Sequence, residues 1–169
     1  MKGGSVVERI KNWIDRIIIG CSSVLVVFLV AGAIWQVFTR FVLQNPSVFT
    51  EEVLRFSLIW IGFLGASYAF GHREHLALTF LTSKLAGQKK RVSNLVIDSS
   101  IIVFAVVVFV IGGTRLVIAT INQVSPVLGL PMGVVYGVLP IAGVLIIFYQ
   151  LLNIKIDAAQ LDREKREAA

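Results

Sequence analysis

Four long stretches without a charged side chain constrain this chain more than anything else in it. They run over residues 17–39, 56–71, 99–114 and 132–154. As an α-helix the first alone rises about 34 Å, enough to cross a hydrocarbon core of about 30 Å. Charge is scarce throughout: 15% of the 169 residues are charged and 56% are hydrophobic, where a soluble domain carries about 25% charged residues. So little charge cannot cover so much apolar surface in water. The expected fold is therefore an all-α integral membrane protein with four transmembrane helices and short amphipathic interfacial helices.

The polar residues between the runs set the boundaries. Spans are expected at about 17–40, 51–71, 95–121 and 132–154. Arg55 and Arg115 extend the second and third, because a long side chain near a helix end reaches the head-group layer. Residues 1–16 read as an amphipathic interfacial segment: Val7, Ile10, Trp13 and Ile14 recur at three- and four-residue spacing among charges, with Trp13 as an interfacial anchor. Leu76 to Leu85 reads the same way. Residues 155–169 form a charged tail. Thr50 ahead of Glu51 and Glu52 reads as an N-cap with acids in the first helical turn. Pro46, Pro126 and Pro131 mark connections, and Pro140 predicts a kink in the fourth span.

Two processing signals are imitated and rejected. Ala31-Gly32-Ala33 resembles a secretory cleavage site, but the first apolar run exceeds the roughly 7–15 residues of a signal core. Ile18-Ile19-Gly20-Cys21 resembles a lipoprotein box, but its apolar stretch follows the cysteine instead of preceding it. Cys21, the single cysteine, reads as a small apolar residue.

Orientation follows from the basic residues. Thirteen of sixteen fall in three segments: Lys2, Arg9, Lys11 and Arg16 at the start; Arg73, Lys84, Lys89, Lys90 and Arg91 in the middle connection; Lys155, Arg163, Lys165 and Arg166 in the tail. Arg40, Arg55 and Arg115 belong to the alternate connections. The positive-inside rule places both termini and the middle connection in the cytoplasm, and four spans satisfy it at every loop. The net charge of +6 is thus directed at anionic lipid head groups, not at nucleic acid.

Chemistry is sparse. The span middles contain no Asp, Glu, Lys, Arg or His, and no broken-helix pair or inverted repeat of the kind that forms a transport site is visible. The densest polar group is Arg40, Glu51, Glu52 and Arg55. Either acid can pair with Arg55 along a helix, with Arg40 across a hairpin taking the other. The cluster reads as a structural ion network holding spans one and two together, or as a subunit interface. It lacks a nucleophile or histidine for acid–base work, and nothing marks the chain as an enzyme. His72 and His75 share a helical spacing, but two imidazoles without further ligands do not make a metal site. Small residues at four-residue spacing (Gly62 with Ala66, Gly65 with Ala69, Gly133 with Gly137) predict helix packing. Trp35 and Trp60 lie deeper than an interfacial belt.

Ordered landmarks then point to a family. Trp35-Gln36-Val37-Phe38-Thr39-Arg40-Phe41-Val42-Leu43, Pro46, Glu51-Glu52-Val53-Leu54-Arg55, Trp60-Ile61-Gly62-Phe63-Leu64-Gly65-Ala66 and His75-Leu76 resemble the small (DctQ-like) membrane subunit of tripartite ATP-independent periplasmic (TRAP) transporters. The likeness is close over about residues 30–80, and the remainder agrees in length and layout. Phe49 departs from a tryptophan common there, keeping the aromatic character. The resemblance implies an accessory subunit of the bacterial inner membrane that braces a large membrane subunit and contributes to docking of a periplasmic substrate-binding protein. Sodium ions and solute would then belong to the large subunit, with no cofactor or substrate site in this chain. Family solutes include C4-dicarboxylates and sialic acid, and general similarity leans toward sialic acid. The rival expectation is a self-sufficient homo-oligomeric transporter or channel.

Overall fold

The computed structural model describes residues 6–72 and 88–167. Its helices are α1 (Val6–Phe41), α2 (Val48–Gly71), α3 (Gln88–Phe104), a π-helical segment (Ala105–Gly112), α4 (Gly113–Thr120), α5 (Met132–Tyr136) and α6 (Val138–Glu167). No strand occurs among the described residues; the nearest approach is an isolated bridge between Val124 and Pro131. Four segments are long and apolar enough to cross a membrane: Arg9–Phe41, Val48–Gly71, Val92–Thr120 and Met132–Ile156. The chain is an all-α protein with four membrane-spanning helices. Leu76 to Leu85, with His75, lies outside the described residues.

Several boundaries differ from the sequence expectation. No break separates residues 6–16 from the first span: α1 runs on from Val6, and Lys11 and Asp15 find partners on other helices instead of turning to water. Trp13 stands 65% exposed on that helix. The N-cap of α2 is Ser47, not Thr50; its backbone is extended and its Oγ accepts from the Thr50 N–H at 3.4 Å. The fourth span breaks at Gly137, between α5 and α6. Pro140 has no N–H to return to the preceding turn, so that turn loosens, and the Ile141 N–H reaches Gly137 O only at 3.4 Å.

The helices form a row more than a closed ring. The order across it is α1, α2, the fourth span, then the third. α1 packs along α2 and meets α6 at the end holding both termini, and it makes no contact with the third span among the described residues. α6 is the centre. Val138, Ala142, Ile146 and Tyr149 repeat at three- and four-residue steps and are buried between α2 and the third span. Without water to drive association, such contacts depend on close backbone approach.

Glycine supplies the approach, though not at all the positions expected. An added Cβ at Gly143 would lie 2.7 Å from Phe109 Cβ, and at Gly113 2.9 Å from Leu139 Cβ. These two glycines lock the third span against the fourth. Gly133 meets Val117 O at 2.9 Å, Gly71 meets the Tyr149 ring, and Gly32 meets Leu54. Gly137 faces only its own helix. Gly62 and Gly65 face open space, with no atom of this chain where a Cβ would stand. Between α1 and α2 the surface opens into an apolar groove lined by Ile18, Ser22, Val26, Gly65 and Tyr68.

The π-helical segment was not foreshadowed by the sequence. It lies where Phe109 and Val110 pack on Gly143, and its wider turn places those two residues against the glycine. π-Turns in helices occur where packing demands a register that α-geometry does not give. Gly143→Ala should therefore destabilise the chain in detergent by about 1–3 kcal/mol through overpacking. Gly62→Ala should stabilise it by about 0.5–1 kcal/mol, the helix-propensity gain with no clash. Unfolding by SDS titration distinguishes the two.

Candidate functional sites at the two ends of the helix row

Polar side chains gather at both ends of the row. At the end holding the termini, α1 contributes Lys11 and Asp15, four apart and so on one face. The Lys11 Nζ donates to Gly71 O at 3.0 Å and to Asn153 Oδ1 at 3.2 Å. Asn153 Nδ2 donates to the same Gly71 carbonyl at 3.1 Å, and Gln150 Nε2 donates to Phe70 O at 3.3 Å. These carbonyls close α2, beyond the reach of its regular i→i+4 ladder. Side chains from α1 and α6 thus cap α2 across space, and the lysine adds positive charge where the helix dipole favours it.

Asp15 ties the same three helices. Tyr149 donates its hydroxyl to Asp15 Oδ1 at 2.5 Å, and His72 Nε2 lies 3.3 Å from Asp15 Oδ2. The His72 ring stacks on Tyr68 at 4.2 Å, with Nδ1 3.3 Å from Tyr68 O. Asp15 and Tyr149 are buried, which is tolerable for a carboxylate only because it is bonded on both oxygens. Asp98 of α3 is likewise engaged and buried. None of Lys11, Asp15, Asp98, Tyr149 or Asn153 stood out in the sequence as a site residue. The one available signal was Lys11 and Asp15 at helical spacing, which reads equally well as a solvated face.

At the opposite end the expected four-residue cluster divides. Arg55 donates to Glu51 Oε1 at 2.9 Å in an exposed i,i+4 pair. Glu52 does not join it. Neighbouring helical residues point 100° apart, and Glu52 turns toward the connection between the third and fourth spans. Its Oε2 accepts the Val127 N–H at 3.1 Å and the Leu128 N–H at 2.8 Å. Arg40 is exposed and forms no salt bridge among the described residues. The network expected to tie span one to span two instead ties span two to the loop 123–131.

That loop is built to present two N–H groups to one acceptor. Ser125 N–H donates to Leu130 O at 2.9 Å and Gly129 N–H to Ser125 O at 3.2 Å. Ser125 Oγ also accepts the Leu130 N–H at 3.3 Å. Gly129 sits at φ +65°, a conformation that a side chain would strain. Glu52, only 7% exposed, is satisfied there without any arginine. Among the described residues no group of three His, Cys, Asp or Glu stands together.

Comparison with known proteins decides the family. Residues 29–159 match the model of the DctQ component of tripartite ATP-independent periplasmic transporters. The chain belongs to that family. Its members are components of transporters. A Haemophilus influenzae protein assigned as a TRAP transporter small permease is 28% identical over 126 residues, 75% of this chain and 77% of the relative. The sialic acid TRAP transporter small permease protein SiaQ of Vibrio cholerae is 26% identical over 88% of this chain and 84% of its own length. The sialic acid TRAP transporter permease protein SiaT of Haemophilus influenzae is 21% identical over 92% of this chain, which is 24% of that longer protein. In SiaT the matching stretch is about one quarter of a longer permease.

The two ends should respond differently to mutation. Tyr149→Phe, which removes a buried donor to a carboxylate, should cost about 1–2 kcal/mol of stability. Arg55→Gln, which breaks an exposed pair, should cost less than about 1 kcal/mol. Unfolding of the detergent-solubilised chain measures both.

Proposed function

We propose that this chain is the accessory, bracing subunit of a sodium-driven TRAP transporter that imports an organic acid, sialic acid in the first instance, delivered by a periplasmic binding protein. The reading rests chiefly on one observation: the small-subunit match spans residues 29–159 in a chain whose span middles carry no ionisable side chain. A subunit that moved an anion and coupled ions itself would need polar groups at that depth. Two relatives bear sialic acid in their names, which supports sialic acid over a C4-dicarboxylate. The distribution of basic segments supports an orientation with both termini, and with them the Lys11–Asp15 clasp, on the cytoplasmic side. Glu52 and the 123–131 loop then face the periplasm. The lipid-exposed helix sides, including open Gly62 and Gly65, are available to the large subunit.

Proteoliposomes test this directly. This chain and the large permease subunit together, with the binding protein outside, should accumulate radiolabelled sialic acid when a sodium gradient is imposed, and should not do so if any one of the three proteins is omitted. Accumulation of succinate instead would replace the solute. Uptake by this chain alone would overturn the accessory role in favour of a self-sufficient transporter.

A further inference from the structure

We propose that Glu52 is a positioning residue of the transport cycle, holding the 123–131 loop in the shape that receives the soluble binding protein. The inference rests on the reading above, in which that loop faces the periplasm. The loop lies between Thr120 and Met132, beyond the last residue of one span and before the first of the next. A soluble protein arriving from the aqueous side meets this surface, whereas the large membrane subunit is approached through the lipid-facing flanks.

Three features of the loop support the assignment. Its backbone is fixed by its own hydrogen bonds, by the Val124–Pro131 bridge with Met132 N–H donating to Gln123 O at 2.8 Å, and by Glu52. Yet Val124, Val127 and Leu130, which this frame holds in place, are exposed. Order without internal packing is what a preformed contact surface requires, since it removes the entropy cost of shaping the loop on binding. The connection between spans one and two exposes Val42 and Leu43 at the same end, with Arg40 and the Glu51–Arg55 pair as charged neighbours. Apolar tips within a polar rim are the usual anatomy of a docking patch.

The use of a carboxylate is itself informative. A buried charge is a poor way merely to stabilise a loop, since apolar packing of the same volume does as well or better. A single oxygen accepting two successive N–H groups specifies direction instead. It fixes the orientation of the Pro126–Val127 and Val127–Leu128 peptides, and hence of the exposed Val127 side chain between them. The acceptor, more than the charge, is what the position needs.

The test uses the assembled complex of this chain with its large subunit, titrated with the soluble binding protein. Glu52→Ala should raise the concentration of binding protein that half-saturates sialic acid uptake by about tenfold, as expected for loss of hydrogen bonds to a charged group. Maximal rate and yield of the complex should be unchanged. Glu52→Gln, which keeps an amide oxygen as acceptor, should recover most of the loss. Half-saturation unmoved by Glu52→Ala overturns the proposal. So does loss of complex yield or maximal rate in both variants, which would assign the loop to the large subunit or to folding. If the wild-type complex does not transport sialic acid, the solute reading has failed. Equilibrium binding of the binding protein to the complex in nanodiscs then gives the same comparison. Equal affinities for wild type and Glu52→Ala, or no binding to wild type, overturn the inference.

Discussion

A bilayer interior offers no partner to a polar group, and the whole arrangement follows from that. Charged side chains are driven to the two ends of the helix row, where they satisfy one another or the backbone ends of neighbouring helices. Between them the helices are held chiefly by close packing, with the Ser67 hydroxyl reaching Ala142 O across α2 and α6 at 3.4 Å. The decisive contacts are backbone-close: Gly143 under Phe109, Gly113 under Leu139 and Pro140, Gly133 under Val117. Each removes a side chain so that two helices can come within van der Waals reach, which is the main source of helix association in lipid.

The two ends solve the same problem in different ways. At the terminal end the α2 carbonyls of Phe70 and Gly71 are capped by Gln150, Lys11 and Asn153, while Asp15 bridges Tyr149 and His72. Three helices converge there. At the other end a single carboxylate, Glu52, secures a connection rather than a helix. The first clasp sets how α1 leans on α2 and α6. The second shapes a surface outside the spans.

Much of the fold was legible in the sequence because lipid makes the code simple. Four uncharged runs gave four spans, and Pro140 gave the break at Gly137. The misreadings share one cause. Glu52 and Arg55 are three apart on a helix, so local spacing favoured their pairing, but the Val127 and Leu128 amides lie 75 and 76 residues away and outcompete it. Lys11 and Asp15 looked like a wetted face because Gly71, Tyr149 and Asn153 were not yet beside them. Small-residue spacing does not say which neighbour it serves: Gly133 meets Val117 O within the chain, while Gly62 faces open space.

The sequence alone determined the solvent of this protein, the number of its spans and the family to which its landmarks belong. Those depend on composition and local order, where each residue's transfer cost into lipid acts independently of its neighbours. Tertiary structure decided which polar groups meet: that Asp15 serves Tyr149, that Lys11 caps α2, that Glu52 serves a distant loop and that Gly62 faces open space. Such pairings depend on how helices order themselves across the row. That order is set by the sum of many close contacts, which no single stretch of sequence contains.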